Sequence, residues 1–268
     1  MKKECITEKK YKEICINLLE HFAEYCKKHG LTYYLAYGSL LGAVRHNGLI
    51  PWDDDIDVQM PRKDYNKLID LLKNNESEFN LFYFNNPKEY GHYFAKISDV
   101  TTELKFHYMK DIQGLGVFID VFPMDIVKLS SNNQRKLERK VKKVLTLLEL
   151  SNMKKCWPAN GVIKNITKNA IFFYVKLRGT RYWYKKYEKL IFNAQQKNES
   201  KKEQYIFAWS ILEKDDFGNG VLLKYEKNRY SCPCNFDKYL KKEYGNYMEF
   251  PPEKDRKSVH DFDAYFKN

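Results

Sequence analysis

Four aspartates crowd into five positions of this 268-residue chain, and they constrain its fold more than any other feature. They are Asp53, Asp54, Asp55 and Asp57. Carboxylates this close repel one another unless a cation or water screens their charges. Apolar residues alternate with the last two, in Asp55-Ile56-Asp57-Val58, which is the period of a half-buried strand. The alternation predicts that Asp55 and Asp57 lie on one strand face, where their oxygens suit Mg²⁺.

A further carboxylate lies in a second apolar strand, which we predict over residues 116–122 and which Pro123 is expected to close. There Asp120 alternates with apolar neighbours. We therefore take Asp55, Asp57 and Asp120 as the candidate catalytic residues, and as ligands of one or two Mg²⁺ or Mn²⁺ ions in a phosphoryl-transfer site. The alternatives are a solvated acidic turn for the pair and an edge residue for Asp120.

Gly38 and Ser39 form a candidate phosphate-binding turn upstream of the acidic block. A helix that starts at Ser39 would offer free N–H groups and the positive end of its dipole to an anion. Arg45, His46 and Lys96 are candidate substrate contacts, because Arg and Lys side chains bind phosphate. The alternatives are a helix-end cation for Arg45, a polar cap for His46 and an outward strand residue for Lys96.

The pattern of apolar residues predicts an α+β fold, with a small mixed sheet flanked by helices, an additional helical region and a short C-terminal α/β segment. We expect a catalytic core over residues 1–128, a Lys-rich helical region over 129–200 and a segment that packs back on the core over 201–268. Predicted helices span 7–29, 40–46, 61–72, most of 131–200 and 236–244. Predicted strands span 32–36, 55–60, 81–84, 93–98, 103–107 and 116–122.

The composition limits the partners that we expect. The formal net charge of +12 fits a Lys-rich surface or an anionic partner, and no zinc-finger spacing or RNA-binding motif supports a nucleic acid. The first residues lack the apolar run of a signal peptide, so we expect a cytoplasmic protein whose six cysteines are free thiols. A zinc site at Cys232 and Cys234, completed by Asp237 and His260, is disfavoured because one residue separates the two cysteines.

Residues 163–192 mix aromatic and aliphatic residues with many lysines and arginines. A basic amphipathic helix of this kind can lie on an anionic bilayer, which would suit a lipid-linked acceptor and a location on the inner face of the cytoplasmic membrane. The alternative is a core-packed helix with a solvated basic face.

Four blocks of the sequence resemble the LicD family of phosphotransferases, which is related to the fukutin-type proteins. They are residues 38–65, 96–102, 118–125 and 244–256. The resemblance implies a nucleotidyltransferase-like fold and transfer of phosphocholine from CDP-choline to a hydroxyl of a cell-surface glycan, with release of CMP. The glycan would be a teichoic acid, a lipopolysaccharide or a capsule precursor. Cys232-Pro233-Cys234 departs from the pattern that we expect in this family.

Carried over residue by residue, the resemblance makes Asp55, Asp57 and Asp120 the metal ligands and Gly38 and Ser39 the phosphate turn. Asp53 and Asp54 belong to the same substrate-binding acidic block. Aromatic faces attract a quaternary ammonium, and Trp52 is the first candidate for such a wall. The other candidates are Tyr37, Tyr90, Tyr93, Trp157, Trp183 and Trp209.

Three alternatives remain open from the sequence. The donor can be CDP-ribitol or CDP-glycerol, whose polyols need hydrogen bonds in place of an aromatic wall. The enzyme can be a nucleotidyltransferase that releases pyrophosphate. The chain can also be an inactive nucleotide-binding scaffold, although all three candidate metal ligands are present.

Overall fold

The computed structural model describes residues 4–74, 79–156, 162–257 and 262–267, and their architecture confirms the α+β prediction. The helices are α1 (Glu8–His29), α2 (Tyr37–Arg45), α3 (Arg62–Asn74), α4 (Ser131–Asn152), α5 (Val162–Arg178), α6 (Thr180–Gln195) and α7 (Phe236–Tyr244). The first six strands are β1 (Tyr34–Leu35), β2 (Asp57–Pro61), β3 (Phe79–Phe82), β4 (Ala95–Asp99), β5 (Thr102–Phe106) and β6 (Phe118–Val127). The later strands are β7 (Gln204–Phe207), β8 (Ser210–Glu213), β9 (Val221–Tyr225), β10 (Asn228–Cys232) and β11 (Phe262–Phe266).

A seven-stranded mixed sheet organises the chain. Its central path runs β1-β2-β6-β4-β3, and β7 pairs with the far end of β6 and then with β8. Within the part of the chain that the structure describes, β2–β6 is the one parallel pair of this sheet. Two small ribbons, β9–β10 and β5–β11, complete the strand pairing. The chain therefore returns twice to its N-terminal half, through β7 on β6 and through β11 on β5.

Helix α1 shows why local sequence signals worked well in the N-terminal half. The Thr7 side chain accepts a hydrogen bond from the Lys10 N–H, and Gly30 ends the helix with φ 60° in the left-handed region. Its buried face, which includes Leu18, Leu19 and Phe22, packs against β4 and β6. The predicted helix 7–29 therefore agrees with the structure to within one residue.

The buried apolar residues form two hydrophobic cores that meet at β6. The first joins α1, α2, α3 and the central strands. The second joins α4 and α6 with β7, β8 and the end of β6, and it buries Trp183 and Tyr187. Tyr37 packs against both cores. The region between the two cores is therefore a natural place for a cavity.

Several predicted boundaries were wrong, and three of them concern the elements that carry candidate site residues. Strand β6 continues through Pro123 to Val127, because β4 pairs only as far as Val121 and β7 begins at Asp125, so Pro123 lies where β6 changes partners. Helix α2 begins at Tyr37, since the Leu40 N–H already donates to the Ala36 carbonyl. Strand β2 begins at Asp57, so Asp55 lies in the preceding loop and not on the strand where it was predicted. The strand ends at Pro61, which was expected to open the next helix.

Residues 131–200 form three helices, in agreement with the predicted helical region. The expected break near 152–161 falls between α4 and α5, although residues 157–161 lie outside the described part of the chain. None of the described helices has both the length and the apolar character needed to cross a bilayer. All six cysteines are free thiols. His260, the residue invoked for a zinc site, is not among the described residues.

A buried ion pair ties the β2–α3 connection to β6. The Arg62 guanidinium donates hydrogen bonds of 2.8 and 2.7 Å to the two carboxylate oxygens of Asp125, which is 4% exposed. This two-point contact fixes the start of α3 relative to the sheet. Because Asp125 is almost fully enclosed, loss of its partner would leave a buried charge unpaired.

Replacement of Arg62 by Met is expected to lower the free energy of unfolding by about 2–3 kcal/mol, because the Asp125 carboxylate loses two hydrogen bonds. Urea unfolding of Arg62→Met, Asp125→Leu and the double variant measures the coupling. The double variant should be less destabilised than the sum of the two single changes. Strict additivity would show that the two side chains do not interact.

Candidate active site

Three ionisable side chains form one row across neighbouring strands. Asp57 of β2 is in register with Asp120 of β6, and Asp120 is in register with Lys96 of β4. All three are buried, with relative exposures of 8%, 6% and 6%. The Lys96 Nζ donates to an Asp120 carboxylate oxygen at 2.5 Å and lies 3.3 Å from the Phe118 ring centroid. The row combines two carboxylates and one cation within a largely apolar sheet.

The row faces a cavity of about 540 Å³ between the sheet and α4. Asp55, Asp57, Asp120 and Lys96 all contribute to its wall. On the opposite side, α4 contributes Leu145, Thr146, Leu148, Glu149 and Asn152. The remaining wall is rich in aromatic rings: Tyr37, Tyr93, Phe94, Phe106, Tyr108, Phe118, Phe122 and Trp209. The cavity therefore has a charged floor and aromatic sides.

The acidic loop before β2 packs on the first turn of α2. Carboxylate oxygens of Asp53, Asp54 and Asp55 lie within 4.8 Å of one another. A Cβ atom added to Gly38 would meet the Asp53 Oδ2 at 2.5 Å, so only glycine leaves room for this carboxylate. Asp53 thus lies beside the helix N-terminus, at the place where the sequence predicted a phosphate.

Ser39 anchors the start of β2. Its hydroxyl is 2% exposed and accepts a 2.8 Å hydrogen bond from the Asp57 N–H. The predicted turn ahead of a helix is in fact part of the first turn of α2, as described above. The structure thus gives Ser39 a positioning contact to Asp57, while its contact with a substrate phosphate stays a prediction.

The electrostatics of the acidic residues favour a bound cation. Burial, followed by the charge of Asp55, raises the pKa of Asp53 to about 7. Burial and the charges of Asp55 and Asp120 raise the pKa of Asp57 well above its usual range, and Lys96 only partly opposes this effect. These neighbouring carboxylates are unfavourable when all of them are ionised, and a cation between them would offset the repulsion. Their oxygens are hard ligands of the kind that Mg²⁺ and Mn²⁺ prefer. The residues present therefore suit the predicted metal, and its presence stays a prediction.

Apart from the alternative aromatic residues, Lys96 is the one predicted substrate contact that lines the cavity. The others, which do not line it, are Gly38, Ser39, Arg45, His46, Trp52, Asp53 and Asp54. Arg45, His46 and Trp52 form a separate cluster. Trp52 lies 5.7 Å from the His46 ring and 6.0 Å from the Phe250 ring, measured between centroids. The guanidinium groups of Arg45 and Arg256 both lie over the Trp52 and Phe250 rings, at 4.7–5.9 Å. Arg45 also donates to the carbonyl oxygens of residues 247 and 249. This cluster joins the end of α2 to the C-terminal segment, behind the acidic loop.

The other aromatic candidates divide clearly. Tyr37, Tyr93 and Trp209 line the cavity. Tyr90 and Trp183 are 0% and 2% exposed and belong to the packed interior, which excludes them as an accessible wall. Trp157 lies outside the described residues.

Several cavity residues escaped the sequence analysis, among them His92, Phe94, Phe106, Tyr108, Glu149 and Asn152. Those on α4 come from a separate helical region, and no local spacing connects them with the acidic strands. Phe94 was the easiest to find, because in the predicted strand 93–98 it precedes Lys96 by two positions and so shares its predicted face.

Comparison with known proteins gives a consistent result. Residues 30–154 match the family model described as LicD/FKTN/FKRP, nucleotidyltransferase domain, which confirms the predicted resemblance. The lipopolysaccharide cholinephosphotransferase LicD of Haemophilus influenzae is 28% identical over an alignment of 273 residues, which covers 97% of this chain and 98% of that protein. The ribitol 5-phosphate transferase FKRP of Homo sapiens is 44% identical over 48 residues, 16% of this chain and 10% of that protein.

We expect His92 to weaken the fold at acidic pH. Enclosure by protein and the charge of Lys96 lower the pKa of His92 to about 3. The unfolded chain binds a proton below about pH 6.5, whereas the folded chain does not, so stability falls as the pH drops. Since His92 is only half-buried by surface area and faces the cavity, we expect a loss of about 1 kcal/mol between pH 7 and 5.

Urea unfolding at several pH values, for the wild type and His92→Phe, measures this contribution. The phenylalanine keeps the ring contacts with Tyr90 and Phe94 and cannot titrate. The variant should have a shallower decline in stability toward acid. Identical pH profiles would contradict the assignment.

Proposed function

Since residues 30–154 form a domain of the LicD family, we propose that this protein transfers phosphocholine from CDP-choline to a hydroxyl of a cell-surface glycan and releases CMP. The cavity carries this proposal, because its acidic floor and its aromatic sides suit the two ends of a phosphocholine group. The matched relatives are named for moving choline phosphate and ribitol 5-phosphate. Both names describe the transfer of a phosphate-linked group, which supports the same general reaction for this protein.

In this proposal the acidic floor binds the metal and the donor phosphates. Asp55, Asp57 and Asp120 would hold Mg²⁺ or Mn²⁺, and the acidic loop would support the same site through Asp53 and Asp54. When bound, the metal supplies positive charge that neutralises the donor diphosphate and stabilises the leaving CMP. Lys96 holds one oxygen of Asp120 in place through its 2.5 Å hydrogen bond. This contact orients the carboxylate toward the cavity.

The reaction is an in-line displacement in this proposal. The acceptor hydroxyl oxygen forms a bond to the phosphorus that bears choline, and the bond from that phosphorus to the CMP oxygen breaks. Asp120 at the cavity floor would either accept the hydroxyl proton or hold the metal that makes this hydroxyl more acidic. The enclosing aromatic side chains exclude water, which would otherwise compete as the acceptor.

The aromatic sides favour choline over a polyol. A trimethylammonium group is attracted to ring faces and needs no hydrogen bonds. Phe94 and Phe122 lie 4.3 Å apart between centroids, close to Lys96 and Asp120, so a cation held there would lie near the reacting phosphate. Ribitol or glycerol would instead leave several hydroxyl groups facing rings. The short match to FKRP keeps ribitol phosphate as the second candidate group.

Replacement of Asp57 or Asp120 by Asn is expected to lower CMP release by at least about a hundredfold, because each change removes a charged ligand from the metal site. The purified protein is incubated with Mg²⁺, CDP-choline and candidate glycans, and CMP is quantified. Mg²⁺ should also raise the melting temperature of the wild type but not of Asp57→Asn. Asp70→Asn, an exposed change on α3, is the matched control.

Each product identifies one alternative. Pyrophosphate release from CTP would indicate a nucleotidyltransferase, and turnover of CDP-ribitol or CDP-glycerol alone would replace choline by a polyol. Near-normal CMP release by both Asn variants would refute the role of the acidic floor. The absence of any turnover or nucleotide binding would favour the scaffold alternative.

Replacement of Phe94 by Leu is expected to raise the KM for CDP-choline about three- to thirtyfold, because a cation–π contact is lost while apolar volume is largely kept. The KM for CDP-glycerol should change little. Phe84→Leu serves as the control, because Phe84 stacks on Tyr184 outside this cavity. Equal losses with both donors would show that Phe94 supports the fold and does not select choline.

A further inference from the structure

Helix α5 is covered on one narrow side only. Among residues 164–178, Val175 is the one buried side chain, and it contributes to the second core. The helix contacts α4 and α6 and presents the rest of its circumference outward. A helix with so little buried surface gains little stability from tertiary packing. Core packing therefore does not account for the apolar residues on its outward face.

The outward face of α5 carries a continuous apolar stripe. Ile166, Phe173 and Leu177 are 65%, 65% and 70% exposed. They are spaced by seven and then four residues, which places them on one side of the helix. Tyr174, which is 47% exposed, flanks the stripe, whereas Ile171, which is 46% exposed, lies on another side of the helix. Exposed apolar side chains that line up in this way mark an interaction surface.

Basic residues are frequent on the helix that carries the stripe and on the helix that follows it. Residues 162–195, which cover α5 and α6, contain eight lysines and arginines and one acidic residue, Glu188. Arg178 lies over the rings of Tyr174 and Tyr182, at 5.4 and 5.2 Å. Aromatic rings with cationic neighbours beside an apolar stripe are typical of helices that lie in a membrane interface.

We propose that the stripe of α5 docks on the surface of an anionic lipid bilayer. The charge argues against a second copy of this chain as the occupant, because pairing two such faces would bring two strongly basic surfaces together. Anionic headgroups complement the lysines and arginines, and the acyl region accepts Ile166, Phe173 and Leu177. Apolar burial and charge attraction then act in the same direction.

The docking face is mechanically linked to the cavity. The Lys176 Nζ donates to the carbonyl oxygens of Ser151 and Met153, at the end of α4. The Ser151 hydroxyl donates to the Thr180 Oγ1 at 3.1 Å, and the neighbouring Asn152 lines the cavity. The last turn of α4 thus contacts α5 and also lines the cavity. A docked α5 would therefore hold the cavity close to the bilayer. This inference rests on the proposed function and adds that the acceptor glycan is anchored to a lipid.

Flotation with vesicles tests the docking surface. The full chain is mixed at low salt with vesicles of phosphatidylcholine alone, or of phosphatidylcholine with phosphatidylglycerol in equal parts. We expect binding to the anionic vesicles only, and high salt should weaken it. The double variant Phe173→Gln/Leu177→Gln should bind at least about tenfold more weakly, because two large apolar side chains no longer enter the interface.

Matched variants separate this surface from general stickiness and from catalysis. Leu222→Gln/Met248→Gln changes two side chains that are 59% and 54% exposed elsewhere, and it should bind vesicles as the wild type does. Asp57→Asn should also bind normally, since it changes only the cavity floor. Both double variants should unfold at the wild-type temperature, because the substituted side chains are exposed.

The outcomes distinguish the two proposals. Loss of binding confined to the α5 variant supports the docking surface, even where no CMP is released. Failure of the wild type to bind anionic vesicles at low salt would overturn it, as would equal loss in the two double variants. A concentration-dependent dimer that Phe173→Gln/Leu177→Gln abolishes, without lipid binding, would assign the face to a second copy and likewise overturn the proposal.

Discussion

The parallel pairing of β2 with β6 is the contact on which the site depends. It aligns Asp57 with Asp120 and encloses both carboxylates. Two adjacent buried carboxylates are unfavourable by themselves, and Lys96 on the next strand compensates for only part of their charge. A sheet that keeps this arrangement gains nothing in stability from it. In the proposed function, a divalent cation would supply the positive charge that these carboxylates still lack.

The neighbouring segments are built to hold these carboxylates in place. The Ser39 hydroxyl fixes the Asp57 N–H, and the absence of a side chain on Gly38 leaves room for Asp53. Tyr37 has a φ of 42°, a backbone conformation that residues with a side chain rarely adopt, and its ring lines the cavity. The first turn of α2 therefore positions the acidic loop through packing. The sequence had suggested that this turn binds a phosphate.

Sequence reasoning worked where a signal is local. Capping and periodicity predicted α1 and α7, and the alternation around Asp120 identified β6 and the face on which its carboxylate lies. It failed where tertiary contacts decide. Pro123 stays within a strand because β6 exchanges partners there, and no local rule reveals that exchange. Tertiary contacts also decide the position of Trp52. Its place beside Asp53 in the sequence suggested that it lines a ligand site, whereas it packs on Phe250 and does not line the cavity.

Helix α4 connects the chemistry with the charge of the whole molecule. One side of α4 closes the cavity through Leu145 and Leu148, and its last residues hold α5 through Lys176. The outward positions of α4 carry Arg135, Lys136, Arg139, Lys140, Lys142 and Lys143, all exposed. The net charge of +12 is therefore concentrated over the helical layer, while the acidic residues of the site are enclosed by the sheet. In the proposed function, this positive layer would attract both a phosphorylated donor and an anionic membrane surface. At the cavity floor the carboxylates make the local charge negative. The donor phosphates would therefore need a metal ion to bind there.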